Sequence, residues 1–241
     1  RWRVLCVAPN YESFIRAGHG IPVNWSSPAN GGKDPAIPEL IASARSLGAK
    51  TVSLIALDIP LAHSKIESRR ASDSAISKAF GGRGCSTHTP NRERPGAISN
   101  ALISQLDSAG YVLETSGKNS QANLRAIEVY PHPALLALLK RDYRVPYKVS
   151  KSSKYWKNES VPGRIECILE EFTNIYDALS GVFGDLTFQL PSKTEVVNLS
   201  YLKRYEDALD ALVCAWVGLE HFDGNTRPFG DEDSTIWVPS I

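Results

Sequence analysis

Apolar residues recur at three- and four-residue steps along residues 201–220 (YLKRYEDALDALVCAWVGLE). Leu202, Leu209, Leu212, Val213, Trp216 and Val217 make one stripe, the pattern of a helix with a face on a core. The same period predicts helices over residues 163–179 (Ile165, Ile168, Leu169, Phe172, Ile175), 95–109 (Ile98, Leu102, Ile103, Leu106) and 38–47 (Leu40, Ile41, Ala44). Pro38 suits a first helical turn, and Gly48 suits a helix end. Shorter helices are predicted from Arg69 and Arg70 to Phe80, with Gly81 and Gly82 as the stop, and at 133–139, while residues 10–17 read as a short helix or a turn.

Strand patterns stand between these helices. Residues 51–59 (TVSLIALDI) are nearly all apolar and rich in β-branched side chains, which predicts a central strand covered on both faces. Residues 124–130 (LRAIEVY) predict a second buried strand, and residues 1–8 (RWRVLCVA) and 235–238 two more. Residues 18–38, 114–123 and 224–233 are polar or rich in Gly, Pro and Ser and read as loops, the second of them mobile. Alternating strands and helices argue an α/β fold, a sheet with helices on both faces, in a single domain.

Composition narrows the function classes. The 241 residues are 42% hydrophobic and 22% charged, with a net charge of +1, so a nucleic-acid partner would have to be met by a local basic patch. No apolar run is long enough to cross a bilayer and no signal-peptide pattern is present, so a cytoplasmic protein is expected. Cys6, Cys85, Cys167 and Cys214 are scattered and form no metal-ligand spacing; they are expected as reduced thiols, at least two of them in the core.

The candidate chemistry is acidic. Asp207 and Asp210 sit three apart in the helix of residues 201–220, among Leu, Ala, Val, Cys and Trp. Two neighbouring like charges repel, and a cation held between them removes the cost; alternatively both face water, with Lys203 or Arg204 as partners. Asp58 ends the most apolar strand, where open α/β sheets hold ligands, or it is a turn residue before Pro60. Glu128 lies near the end of the second strand, where an unpaired charge is costly; it is a ligand or water-orienting base, points outward, or pairs with an arginine. Carboxylates without a His or Cys cluster favour Mg²⁺ or Mn²⁺. Two such ions about 4 Å apart activate water and stabilise the leaving oxygen in phosphodiester hydrolysis.

Basic residues supply the complementary half. Arg69, Arg70 and the loop GGRGCSTHTP, with Arg83 and His88, are candidates for phosphate contacts, although such a loop also serves as a plain turn. Residues 140–157 interleave basic and aromatic side chains, a composition that suits a nucleic-acid backbone or a solvated excursion packed on itself.

The runs LIALDIPL, RR-x-x-D with GGRGCSTHTP, EVYPHPAL, DALDALVCAW and GDEDSTIWVP resemble, in that order, domain-of-unknown-function family 429, the predicted RNase H-like nucleases. The resemblance implies an RNase H-like mixed sheet of the Holliday-resolvase type, with insertions around residues 61–123 and 140–198. It implies acids on the first strand, the fourth strand and the last helix that bind divalent metal. Asp58 matches the fourth-strand acid, Asp207 and Asp210 match the D-x-x-D of the last helix, and Glu128 is an addition. The first-strand acid has no counterpart in residues 1–8, so an acid-bearing strand ahead of Arg1 is expected, unless the ligand has been lost. The expected activity is metal-dependent cleavage of nucleic acid. A non-catalytic nucleic-acid or nucleotide binder and a small-molecule phosphotransferase are the alternatives.

Overall fold

The computed structural model describes residues 2–26, 36–117 and 122–240. Its five strands are β1 (Leu54–Leu57), β2 (Val112–Leu113), β3 (Arg125–Val129), β4 (Thr226–Gly230) and β5 (Thr235–Pro239). Its helices are α1 (Tyr11–Gly18), α2 (Ile37–Ser46), α3 (Ala71–Phe80), α4 (Gly96–Ser108), α5 (Pro131–Leu138), α6 (Ser152–Tyr155), α7 (Val161–Phe183) and α8 (Lys203–Phe222). The sheet is mixed. β3 runs parallel to β1, β2 and β5, and β4 closes it antiparallel to β5. This is an α/β fold compatible with the RNase H-like class.

Alternation along the strands sends successive side chains to opposite faces. Ile127 and Val129 of β3, with Leu54 and Ala56 of β1, join the core under α5, α7 and α8. Ala126, with Ile55 and Leu57, packs instead with Ile41 of α2 and Leu102 and Leu106 of α4. Ile236 and Val238 of β5 meet Ile76 and Phe80 of α3. Helices therefore cover both faces. α8 comes so close to β1 that a Cβ added at Gly218 would lie 3.3 Å from Leu54 Cδ2. Of the predicted α7 stripe, Ile165, Ile168, Phe172 and Ile175 are buried and Leu169 half-buried, and the helix runs on through Phe183.

Four expectations change. Residues 2–8 form no strand: Val4 and Val7 pack into the α8 core, and the Val7 amide donates to Thr187 Oγ1 at 3.2 Å. β1 is shorter than predicted and pairs with β3 alone among the described residues, so it is an edge strand with half-buried side chains, not a central one. Residues 226–230 are a strand, not a loop; Pro228 and mostly outward positions hid it, and proline is tolerated there because the strand is an edge. Part of the predicted mobile loop is fixed, since Glu114 is buried against Arg125 at 3.0 Å and Thr115 Oγ1 donates to the Glu232 carbonyl at 2.8 Å. Residues 118–121 of that loop, residues 27–35 of the earlier one and Arg1 lie outside the described residues. All four cysteines are free, with Cys85 and Cys214 buried, and no described helix is long and apolar enough to cross a membrane.

Phe172 is fully buried in the largest core, whereas Ile98 is 37% exposed although both lie on predicted apolar stripes. Phe172→Ala is expected to cost about 3–5 kcal/mol and Ile98→Ala less than about 0.5 kcal/mol, read from urea midpoints at constant m-value.

Candidate active site

α8 follows a 3-10 turn, Leu199–Leu202, whose entry is capped by the Asn198 side chain accepting from the Tyr201 amide at 3.0 Å. Its apolar stripe presses the helix into the core, which carries Glu206 and Asp210, one turn apart, into buried positions while Asp207 stays exposed. One carboxylate oxygen from each of the three lies within 4.8 Å of the others. Such a row repels itself unless cations stand in it.

Two lysines do. Lys148 Nζ lies 2.5 Å from Asp210 Oδ2 and 3.4 Å from Glu206 Oε1. Lys203 Nζ lies 2.9 Å from Glu206 Oε1 and also pairs with Asp207 one turn on. Tyr147 donates its hydroxyl to Asp210 Oδ1 at 2.6 Å, and the Val149 amide donates to Glu206 Oε2 at 2.7 Å. Burial pushes the Asp210 pKa up, against Lys148 and Tyr147. Burial also works against the Lys148 charge, and Asp210 and Glu206 overcome it, holding the ammonium protonated above its ordinary range. The two directions are opposite views of one contact. An ammonium and a hydroxyl both donating at such short range define Asp210 as an ionised carboxylate.

Asp58 leaves the carboxyl end of β1 on the side that faces α8. Asp58 as a whole residue is exposed, yet burial of its carboxyl by the surrounding protein raises its pKa to about 7, and the charge of Asp210 adds to the rise against Lys148. Cys214, one turn beyond Asp210, feels both carboxylates. Asp58 is thus electrostatically joined to the α8 row without being one of its three mutually close members.

Glu128 extends to the other face of the sheet, in register with Leu57. It is 3% exposed, and Arg70 grips it with Nη1 at 2.5 Å from Oε2 and Nη2 at 2.8 Å from Oε1. The Leu61 amide donates to Oε2 at 2.6 Å. Arg70 also holds Asp73 at 2.9 Å at the start of α3 and the Leu61 carbonyl at 2.8 Å. Burial drives the Glu128 pKa up to about 7 and Arg70 pulls it back. Burial likewise opposes the Arg70 charge, and Glu128 and Asp73 more than restore it. Three close donors on one carboxylate fix Glu128 as the ionised member of a buried ion pair.

A cleft of ≈ 250 Å³ opens at the carboxyl edge of β1 and β3, and among its walls are Asp58, Arg70, His88, Arg94, Glu128 and Tyr130. It gathers four of the residues singled out from sequence, namely Asp58, Arg70, His88 and Glu128. Asp207 and Asp210 do not line it, although the charge of Asp210 reaches Asp58. Arg69 is exposed and braces α3 against Thr89, Ser74 and Ser77. Arg83 faces away and binds the carbonyls of Asp142 and Arg141 at 2.9 and 2.8 Å. Sequence reasoning passed over Glu206, and it placed Tyr147 and Lys148 in the basic and aromatic stretch of residues 140–157 rather than beside the acids. Glu206 was visible as an acid one turn before Asp210, whereas nothing local distinguished Lys148 from the other basic residues around it.

Residues 4–235 match a protein family described as Protein of unknown function (DUF429), so the chain belongs to that family. No curated protein and no solved structure matches it.

Removing Arg70 strands two buried carboxylates. Arg70→Met is expected to lower stability by about 3–5 kcal/mol, against less than about 1 kcal/mol for the exposed neighbour Arg69→Met, measured by chemical denaturation.

Proposed function

We propose that this protein is a divalent-metal-dependent nuclease that hydrolyses phosphodiester bonds. The carrying observation is that Asp58, at the carboxyl end of β1, feels the charge of Asp210 in a row where Glu206, Asp207 and Asp210 bring oxygens within 4.8 Å of one another. An all-oxygen donor set fits Mg²⁺ or Mn²⁺. Asp58, Asp207 and Asp210 would hold the ion, with Glu206 as a further donor. Four carboxylates against the ammonium groups of Lys148 and Lys203 leave two negative charges, which one divalent ion neutralises.

A bound ion supplies a Lewis acid and an activated water. The chain's own groups do the remainder. Tyr147 fixes the Asp210 carboxylate, Lys148 bridges it to Glu206, and the Arg70–Glu128 pair holds the opposite wall of the cleft rigid. Glu128 has its oxygens taken by Arg70 and Leu61, so in this reading it positions the wall.

The lysine contacts also favour a second reading, a nucleic-acid or nucleotide binder whose acids are neutralised internally. Cleavage separates the two. With Mn²⁺ or Mg²⁺, labelled single- and double-stranded DNA and RNA are expected to be cut, and Asp210→Asn is expected to drop cleavage to the metal-free background. Cleavage that survives Asp210→Asn overturns the nuclease reading. Binding without cleavage supports the second one, and nucleotide turnover in the absence of nucleic acid points to a phosphotransferase.

The pKa of Asp58 adds a pH signature. A carboxyl raised to about 7 is largely protonated at pH 6 and must lose its proton to ligate a cation. Mn²⁺ affinity, measured by calorimetry, is expected to fall by up to about tenfold per unit as pH drops below 7. Asp58→Asn is expected to weaken binding and flatten that slope.

A further inference from the structure

The basic and aromatic side chains of residues 140–157 divide in the structure. Arg141 pairs with Glu171 at 3.0 Å, Lys148 pairs with Asp210, and Tyr147 is core. Arg144, Lys151 and Lys154 have no ion pair among the described residues. Lys151 closes the 3-10 turn Val149–Lys151 and Lys154 follows three residues later in α6, a spacing that puts them on neighbouring positions of one face.

Arg144 is built in rather than draped on the surface. Its amide donates to the Arg83 carbonyl at 3.0 Å, its Nη1 to the Gly84 carbonyl at 3.2 Å, and its Nη2 meets His132 Nε2 at 2.5 Å. A guanidinium only donates, so His132 accepts at Nε2 and carries its proton on Nδ1. His132 Nδ1, Arg144 Nε and the Tyr155 hydroxyl are all buried without a partner. Burial, then Arg144, Lys148, Lys151 and His88, push the His132 pKa down to about 2, so it is neutral. Burial and the charges of Arg144, Lys154 and Lys148 push the Lys151 pKa below its usual range. Cations and unpaired donors are therefore collected where no carboxylate answers them. Tyr130 ties this group to the cleft: it lines the cleft beside His88 and feels both Arg144 and Asp58. Tyr143, 65% exposed, lies against Gly84 next to Arg144 and offers an open ring for a base to stack on.

We infer that Arg144, Lys151 and Lys154, with the exposed Tyr143 ring, seat the phosphates and a base of a single-stranded nucleic acid beside the carboxylate site. The inference rests on the phosphodiester reading for its choice of ligand, but not on metal or cleavage.

The test is fluorescence anisotropy of labelled single-stranded DNA and RNA oligonucleotides on the full chain in EDTA, over a series of salt concentrations. Lys151→Gln/Lys154→Gln is expected to weaken binding at least about tenfold and to reduce the salt slope by about 1.4, since each lost single-strand phosphate contact removes about 0.7. Arg144→Gln lowers the slope further, and Tyr143→Ala weakens binding at unchanged slope. Arg45→Gln on α2, a surface cation on another element, leaves both unchanged. Circular-dichroism melting verifies that each variant is folded. Mononucleotide or inorganic phosphate is added as competitor. Lysine-dependent binding of the mononucleotide with no gain from longer chains keeps the phosphate seat and reassigns its source. An unaltered slope in a folded double-lysine variant overturns the inference, as does a wild-type chain that binds none of these probes. The two readings fail separately: lysine-dependent binding by a wild-type chain that cuts none of the nucleic acids with Mn²⁺ or Mg²⁺ sinks the nuclease and leaves the seat standing.

Discussion

Glu206, Asp207 and Asp210 occupy little more than one turn of a helix that is otherwise pressed into the core, and that arrangement can stand only if positive charge reaches it. Lys203 comes from the same helix and needs no tertiary help to reach Glu206 and Asp207. Lys148 comes from the segment between α5 and α6, and with Tyr147 and the Val149 amide it fastens that segment to α8 by four contacts on two carboxylates. The carboxylate row therefore orders the excursion that follows α5. Arg144 and Lys151 have fixed positions because Tyr147, Lys148 and Val149 are anchored there.

The sheet divides the charges into two hydrogen-bonded groups, although the Glu128 charge still reaches Asp58. Asp58 belongs with α8 on one face, while Glu128 belongs with Arg70 and Asp73 on the other. One is buried, bidentate and closed by the Leu61 amide, which suits rigidity. The other ends at the exposed residue Asp58 and at lysines that an incoming cation can displace or accompany, which suits exchange. Both meet at the carboxyl edge of β1 and β3, the position at which parallel strands in open α/β sheets present their ligand sites.

Much of this was legible in the sequence, because it depends on local rules. The helical period fixed α2, α4, α7 and α8 to within a few residues, and it found the buried stripe of α7 through Phe172 and Ile175. The acids Asp58, Asp207 and Asp210 stood out as charges inside apolar runs, and the alternative that Lys203 partners Asp207 was written into the same helix by its four-residue spacing. The edge strands β2 and β4 were not legible: two residues carry no period, and TRPFG points mostly outward.

Tertiary structure alone decided which charges meet between elements. Arg70 reads as a candidate phosphate contact beside Arg69 until β3 brings Glu128 against it, 58 residues away in sequence. Lys148 reads as one more basic residue in a basic stretch until Asp210, 62 residues on, closes on it. Periodicity records which side of an element is apolar, because burial acts on each residue by itself. Partner choice records distance between elements, which no local pattern encodes, and it is partner choice that set the two walls of the cleft apart.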